Sequence, residues 1–299
     1  TARLIVRWRR IVRNEQIILS LMAAVVGAIV AYATIAFRWL VGEVQFLFFG
    51  TSSEQLYSAA TALPWWQILL APTIGGLIIG LFMKYLMPGG RPVGVAHVIE
   101  ASTLRGGRMS LNQGLAAATA AIASLGTGAS AGREGPMVHL GASLASYTAR
   151  RFHLSPALSL TILGCGVASG VAASFNAPIA GVFFALEVVT GHYALHAFSP
   201  IVIASVVGTI VSRAHLGDSP AFIIIDHGAV SIAEYPAFLL LGLSCAIITW
   251  LLMHSLKIVE GSMAMLPAPE WLQPAIGGLA VGTIAVAFPQ VLGVGYEAT

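Results

Sequence analysis

Residues Gly126 to Pro136 read GTGASAGREGP, and residues Gly166 to Val188 read GVASGVAASFNAPIAGVFFALEV. Both stretches lie among apolar segments, yet both carry helix breakers. Gly126, Gly128, Gly132, Gly135 and Pro136 interrupt the first, and Asn176-Ala177-Pro178 interrupts the second. Non-helical backbone at membrane depth survives only where it lines a cavity or is buried in protein. A third break falls at Gly94, ahead of a short segment from Val95 to Leu104. The expected pieces after the breaks run from Met137 to Arg151, from Ser155 to Phe175 and from Ile179 to Val189.

Pro136 suits a first helical position, where its missing N–H would have no intrahelical acceptor. Glu134 then stands immediately before a helix N-terminus. Such an end carries about +0.5 of a charge and free N–H donors, and it stabilises an anion by about 0.3 to 2 kcal/mol. Two or three converging ends offset the ~2.5 to 3.5 kcal/mol cost of an ionised group at mid-bilayer. The Glu134 carboxylate and a free anion would compete for one positive site, which is the physics of a gate. A second reading makes Glu134 only a cap paired with Arg133, and the residues by themselves leave both open.

The composition fits a lipid-solvated chain. Of 299 residues 57% are hydrophobic and 9% charged, against about a quarter charged in soluble domains. Apolar stretches run from Ile17 to Leu40, Gln67 to Met87, Leu111 to Ala131, Leu195 to Val211 and Phe238 to Met253. Each is close to the roughly 20 residues a helix needs to span the hydrocarbon. Arg3, Arg7, Arg9, Arg10 and Arg13 precede the first stretch, which is too long for a signal-peptide core and has no cleavage site after it. The net charge of +3 comes with a single aromatic, Trp8, among these arginines, and all five lie beside an apolar span. They read as a cytoplasmic anchor under the positive-inside bias rather than as a nucleic-acid surface.

Loop charges set a topology. Val41 to Leu63 carries Glu43 and Glu54 without Lys or Arg, whereas Lys84, Arg91, Arg105 and Arg108 follow the second span. The first loop is therefore expected outside and the second inside. Leu216 to Tyr235, with Asp218, Asp226 and Glu234, reads as outside again, and Lys257 as inside.

Pro72, Ile74, Gly75, Gly76, Leu77 and Gly80 recur as Pro274, Ile276, Gly277, Gly278, Leu279 and Gly282 at one offset of 202 residues. Trp65, Trp66 and Trp271 lie just upstream, and Gly94-Val95 and Gly293-Val294 downstream. The loop charges invert the two units across the membrane, an arrangement typical of transporters. Gly76 to Gly80 and Gly278 to Gly282 also have the small-xxx-small spacing of close helix contacts. A first unit over about 15–214 and a second from about 236 imply that the second is incomplete at residue 299.

The GREGP element at Gly132 to Pro136, followed by a small-residue helix and FNAPIAG at Phe175 to Gly181, resembles signature stretches of the CLC family of chloride channels and chloride/proton exchangers. The match runs in order from about Ile17 to Ala298. The resemblance implies an all-α polytopic membrane protein with inverted repeats and broken helices, a pore in each subunit and a homodimer. It implies gated chloride transport without enzymatic chemistry or cofactor, in a membrane that would be a bacterial inner membrane, with the N-terminus cytoplasmic. Glu134 would be the external gate. Gly132, Arg133, Gly135 and Pro136 on one side, with Val93, Gly94 and Val95 on the other, would hold the anion through backbone and helix ends.

Three departures from the family pattern bear on mechanism. Pro92 to Ala96 reads PVGVA where the family has GSGIP, so Val93 replaces the serine whose hydroxyl donates to chloride. The helix after the FNAP break carries Glu187 followed by Val188, where proton-coupled members have two glutamates. The family's other inner glutamate aligns with Ile99; Glu100 is adjacent but turned by about 100° on a helix. These differences favour a channel, with the antiporter as the alternative. Glu187 itself reads either as functional or as a hydrogen-bonded packing residue.

Other chemistries fare worse. Ser169 in GVASG lacks the first glycine of a serine-nucleophile turn at the right spacing and reads as a packing residue. His192 and His196 share a helix face, but no third ligand accompanies them, so no metal site is expected. Cys165 and Cys245 lie in apolar segments without ligand spacing and are expected to pack.

Overall fold

The computed structural model describes residues 15–52, 56–87, 93–191, 194–218 and 232–297. The arginine tail, Pro92, His192 and most of the acidic loop, Asp226 included, lie outside these residues. All regular elements among the described residues are helical: α1 Glu15–Phe49, α2 Leu56–Ala60, α3 Trp65–Leu86, α4 Val95–Leu104, α5 Leu111–Gly126 and α6 Glu134–Arg151. They continue with α7 Pro156–Phe175, α8 Pro178–Phe184, α9 Leu195–Leu216, α10 Tyr235–Met265 and α11 Gln273–Ala287. Among the described residues five helices are long and apolar enough to cross a membrane, and α4 and the α8 segment are apolar but short.

The centre of the fold is α7, whose residues from Thr161 to Ser174 are all buried. Small residues make this possible. A Cβ on Gly141 would strike the carbonyl of Gly166, and one on Gly166 would strike the carbonyl of Gly141, so α6 and α7 touch backbone to backbone. Ser169 faces α1, and its hydroxyl donates to the Gly27 carbonyl at 2.7 Å. It is a packing residue, fully buried. Cys165 packs in the same core.

Local chemistry sets the ends of α7. The Ser155 hydroxyl accepts from the Leu158 N–H at 3.4 Å, with Pro156 in the first turn. Asn176 ends the helix at φ 57°, the left-handed conformation that Asn tolerates well. Its side chain then ties the corner together: Arg213 Nε donates to Asn176 Oδ1 at 2.6 Å and reaches Asp218 at 3.0 Å.

The repeated motif supplies the contact between α3 and α11. A Cβ on Gly76 would meet the Pro274 carbonyl, and one on Gly278 would meet the Pro72 carbonyl. Likewise Gly80 abuts the Trp271 carbonyl, and Gly282 the Leu69 carbonyl. Shifting each contact by the 202-residue offset returns its counterpart with the partners exchanged. Such an exchange is the mark of a local two-fold relation. The recurring motif and the close helix packing are thus one feature.

Four expectations need correction. The segment expected to run from Leu111 to Ala131 ends as a helix at Gly126, because Thr127 closes it and Gly128 turns at φ 85°. Helix α6 starts at Glu134, not after Pro136: Arg133 is already helical in backbone, and the Met137 N–H donates to its carbonyl at 3.2 Å. Pro136 is therefore the third residue of the helix, still within the turn whose N–H groups lack intrahelical acceptors. The segment from Ile179 to Val189 is α-helical only to Phe184 and π-helical from Ala185 to Thr190. Finally, Cys245 is exposed on α10, a helix with no buried residue among those described.

Candidate anion site between two helix starts

Helices α4 and α6 begin at breaks, and their first turns border one small cavity. Val93, just ahead of α4, and Pro136, in the first turn of α6, both line a space of about 170 Å³. First-turn amides have no intrahelical acceptors. At α4 one of them is capped locally, the Gly94 N–H donating to His97 Nδ1 at 3.4 Å. Gly94 is extended, and a Cβ there would meet nothing, as would one on Gly135. Val95 opens α4.

Glu134 occupies the first position of α6. One carboxylate oxygen accepts from the Tyr296 hydroxyl at 3.1 Å. The other folds back over Gly132, into the space a side chain there would fill. Gly132 is thus what lets the carboxylate lie across its own helix start. Gly128 ties this loop to the segment carrying Tyr296, its carbonyl accepting from the Gly293 N–H at 3.2 Å.

Arg133 is buried and anchored sideways. Its Nη2 donates to the Ser174 carbonyl at 3.3 Å, and its guanidinium lies 5.9 Å from the Phe175 ring centre and 4.7 Å from that of Tyr296. A cation at the carbonyl end of α7 is favourable for that helix. Arg133 therefore joins the α7 break to the loop before Glu134. On this side a second cavity, about 450 Å³, is lined by Arg38, Arg133, His215 and Tyr296 among others.

The inner carboxylates sit elsewhere. Glu100 pairs with Arg105 at 2.7 Å on an exposed surface. Glu187 and Val188 fall on exposed positions of the π-helical turn. Such turns recur at functional sites because one extra residue shifts the side-chain register. Among the described residues no group of three metal-ligating side chains exists.

The family signature described as voltage gated chloride channel matches residues 75–299. The chain belongs to the voltage-gated chloride channel, or CLC, family. Among its relatives, the voltage-gated ClC-type chloride channel ClcB of Escherichia coli is 33% identical over 283 residues, covering 93% of this chain and 66% of that protein. A ClcB-like protein of Ralstonia nicotianae is 34% identical over 280 residues, and the chain, 92% covered, spans 65% of its length. The structure of a slow cyanobacterial Cl⁻/H⁺ antiporter superposes with a TM-score of 0.78 at 22% identity, over 94% of this chain and 66% of that one. A CLC-type fluoride/proton antiporter gives 0.74 at 25% identity, over 94% and 68%. The fold expected of the family, all-helical with broken helices, is the fold observed.

Tyr296 escaped the sequence reading. It stands three residues beyond Gly293 and 162 residues from Glu134, so no local pattern in the sequence joins the two.

Proposed function

We propose that this chain forms the gate and one wall of a chloride pathway, with Glu134 as the gate. The observation that carries the reading is the placement of Glu134 at the start of α6, folded over Gly132 and held by Tyr296. An ionised carboxylate there occupies the position a chloride would take, and protonation frees it. The outer cavity with Arg38 and Arg133 raises the local anion concentration at the entrance. Val93, Gly94, Val95, Gly132, Arg133, Gly135 and Pro136 supply the backbone around the path. Residues 15–214 act as the first of two inverted units, with the second beginning near residue 236, and the working protein is a homodimer in the bacterial inner membrane with its N-terminus cytoplasmic.

Chloride flow without obligatory proton exchange is the form we favour, since Val188 and Ile99 carry no ionisable group and Glu100 is held by Arg105. Proton exchange is the competing reading, supported by the two solved antiporters that share this fold. Proteoliposomes holding the intact protein decide between them. A chloride gradient is expected to dissipate without moving protons uphill; uphill proton movement would establish exchange, with Glu187 the first relay to replace. Absence of chloride flux would remove both readings.

Tyr296→Phe tests the hold on the gate. It deletes a hydrogen bond to the ionised carboxylate while leaving the ring over Arg133. A hydrogen bond to a charged group contributes about 1.5 kcal/mol, so the carboxylate loses part of what holds it in the path. Chloride efflux at a fixed neutral external pH is expected to rise, by up to about tenfold. An unchanged efflux rate would show that this contact does not restrain the gate.

A further inference from the structure

The cavity between the starts of α4 and α6 has a third wall, the α5 face formed by Ala117, Ala120, Ala121 and Ser124. Their spacing places these residues on one side of the helix. Ser124 carries the sole hydroxyl among the residues lining the cavity. Helical hydroxyls elsewhere in this chain, such as those of Thr119, Ser174 and Ser244, donate to a carbonyl one turn back. The Ser124 hydroxyl makes no hydrogen bond with any described residue, and the residue is half-buried. Its backbone is nonetheless fixed, since the Ser124 carbonyl accepts from Thr127 Oγ1 at 3.1 Å and from the Ala129 N–H at 3.0 Å.

An otherwise apolar cavity bordered by two helix starts thus has in its wall one serine whose hydroxyl is bound to no described residue. We propose that Ser124 donates this hydroxyl to a dehydrated halide in the cavity, and that it is the side chain setting anion affinity there. The proposal rests on the chloride-path reading above. The Val93 side chain, on the cavity wall, has no hydroxyl to donate, so that task falls to α5.

Chloride titrations by calorimetry on the intact purified protein, wild type and variants, test it. Alanine is the best helix former, so Ser124→Ala keeps α5 intact. It is expected to weaken chloride binding about tenfold, the loss of a hydrogen bond to an ion. Ser124→Thr retains a hydroxyl and is expected to bind as wild type does. Adding Val93→Ser to Ser124→Ala returns a hydroxyl to the same cavity and restores affinity. Wild-type affinity in Ser124→Ala, or an equal loss in Ser124→Thr, overturns the role of Ser124 while leaving the path standing. A wild-type protein that binds no chloride removes the path itself, and the proposal with it.

Discussion

Replacing Glu134 with Gln is expected to leave anion flux in place and to abolish most of its dependence on external pH. Glutamine keeps the shape of the side chain and can still accept from Tyr296, whose hydroxyl lies 3.1 Å from the carboxylate. What it removes is the negative charge that competes with chloride at the start of α6. A helix start favours an anion by about 0.3 to 2 kcal/mol, and that advantage passes from the tethered carboxylate to the free ion. Because Gln does not titrate, the flux should stay at its low-pH level across the range in which wild type changes. Stopped-flow or electrode measurements of chloride efflux from liposomes at a series of external pH values read this directly. Should Glu134→Gln keep the wild-type curve at normal expression, Glu134 is a structural cap only.

The second large effect concerns packing, and two adjacent glycines of one motif should behave oppositely. A Cβ on Gly278 would overlap the backbone carbonyl of Pro72, which cannot step aside as a flexible side chain would. A Cβ on Gly277 would meet nothing. Gly278→Ala must push α11 away from α3, and overpacking of this kind costs about 1 to 3 kcal/mol. Gly277→Ala adds no clash and gains about 0.5 to 1 kcal/mol of helix propensity. Thermal unfolding of the two variants in detergent should therefore bracket wild type, with Gly278→Ala below it and Gly277→Ala at or above it. Equal melting for both would mean that the α3 and α11 contact contributes nothing. The Gly278 change should also disturb the gate, since the chain after α11 carries Tyr296.

Much of the local structure was legible because it is encoded locally. Gly94 is a poor helix former, and Asn176 and Pro178 restrict the backbone where they stand, so the start of α4 and the end of α7 could be read directly and the start of α8 to within one residue. Boundaries were less secure where the side chain allows several positions. Pro136 is compatible with any place in the first turn, and only the hydrogen bond from Met137 to Arg133 decides that α6 begins at Glu134. The π-helical turn from Ala185 to Thr190 was not legible, because its sequence has the same apolar pattern as an α-helix.

By itself, then, the sequence determined a membrane-spanning helical chain, broken at defined residues, that repeats a glycine motif and sets Glu134 near a helix start. Those properties follow from hydropathy and from the backbone preferences of Gly, Pro and Asn, which act within a few residues. Only the tertiary structure decided what surrounds the carboxylate. Tyr296 reaches Glu134 across 162 residues of sequence, and Arg133 is claimed by Ser174 and Phe175 of another helix. Ser124 and Val93 likewise face one cavity from separate helices. The reason is that hydrogen bonds and cavity walls depend on where packed helices place their side chains, and that placement is settled by close contacts such as Gly76 on Pro274 and Gly141 on Gly166.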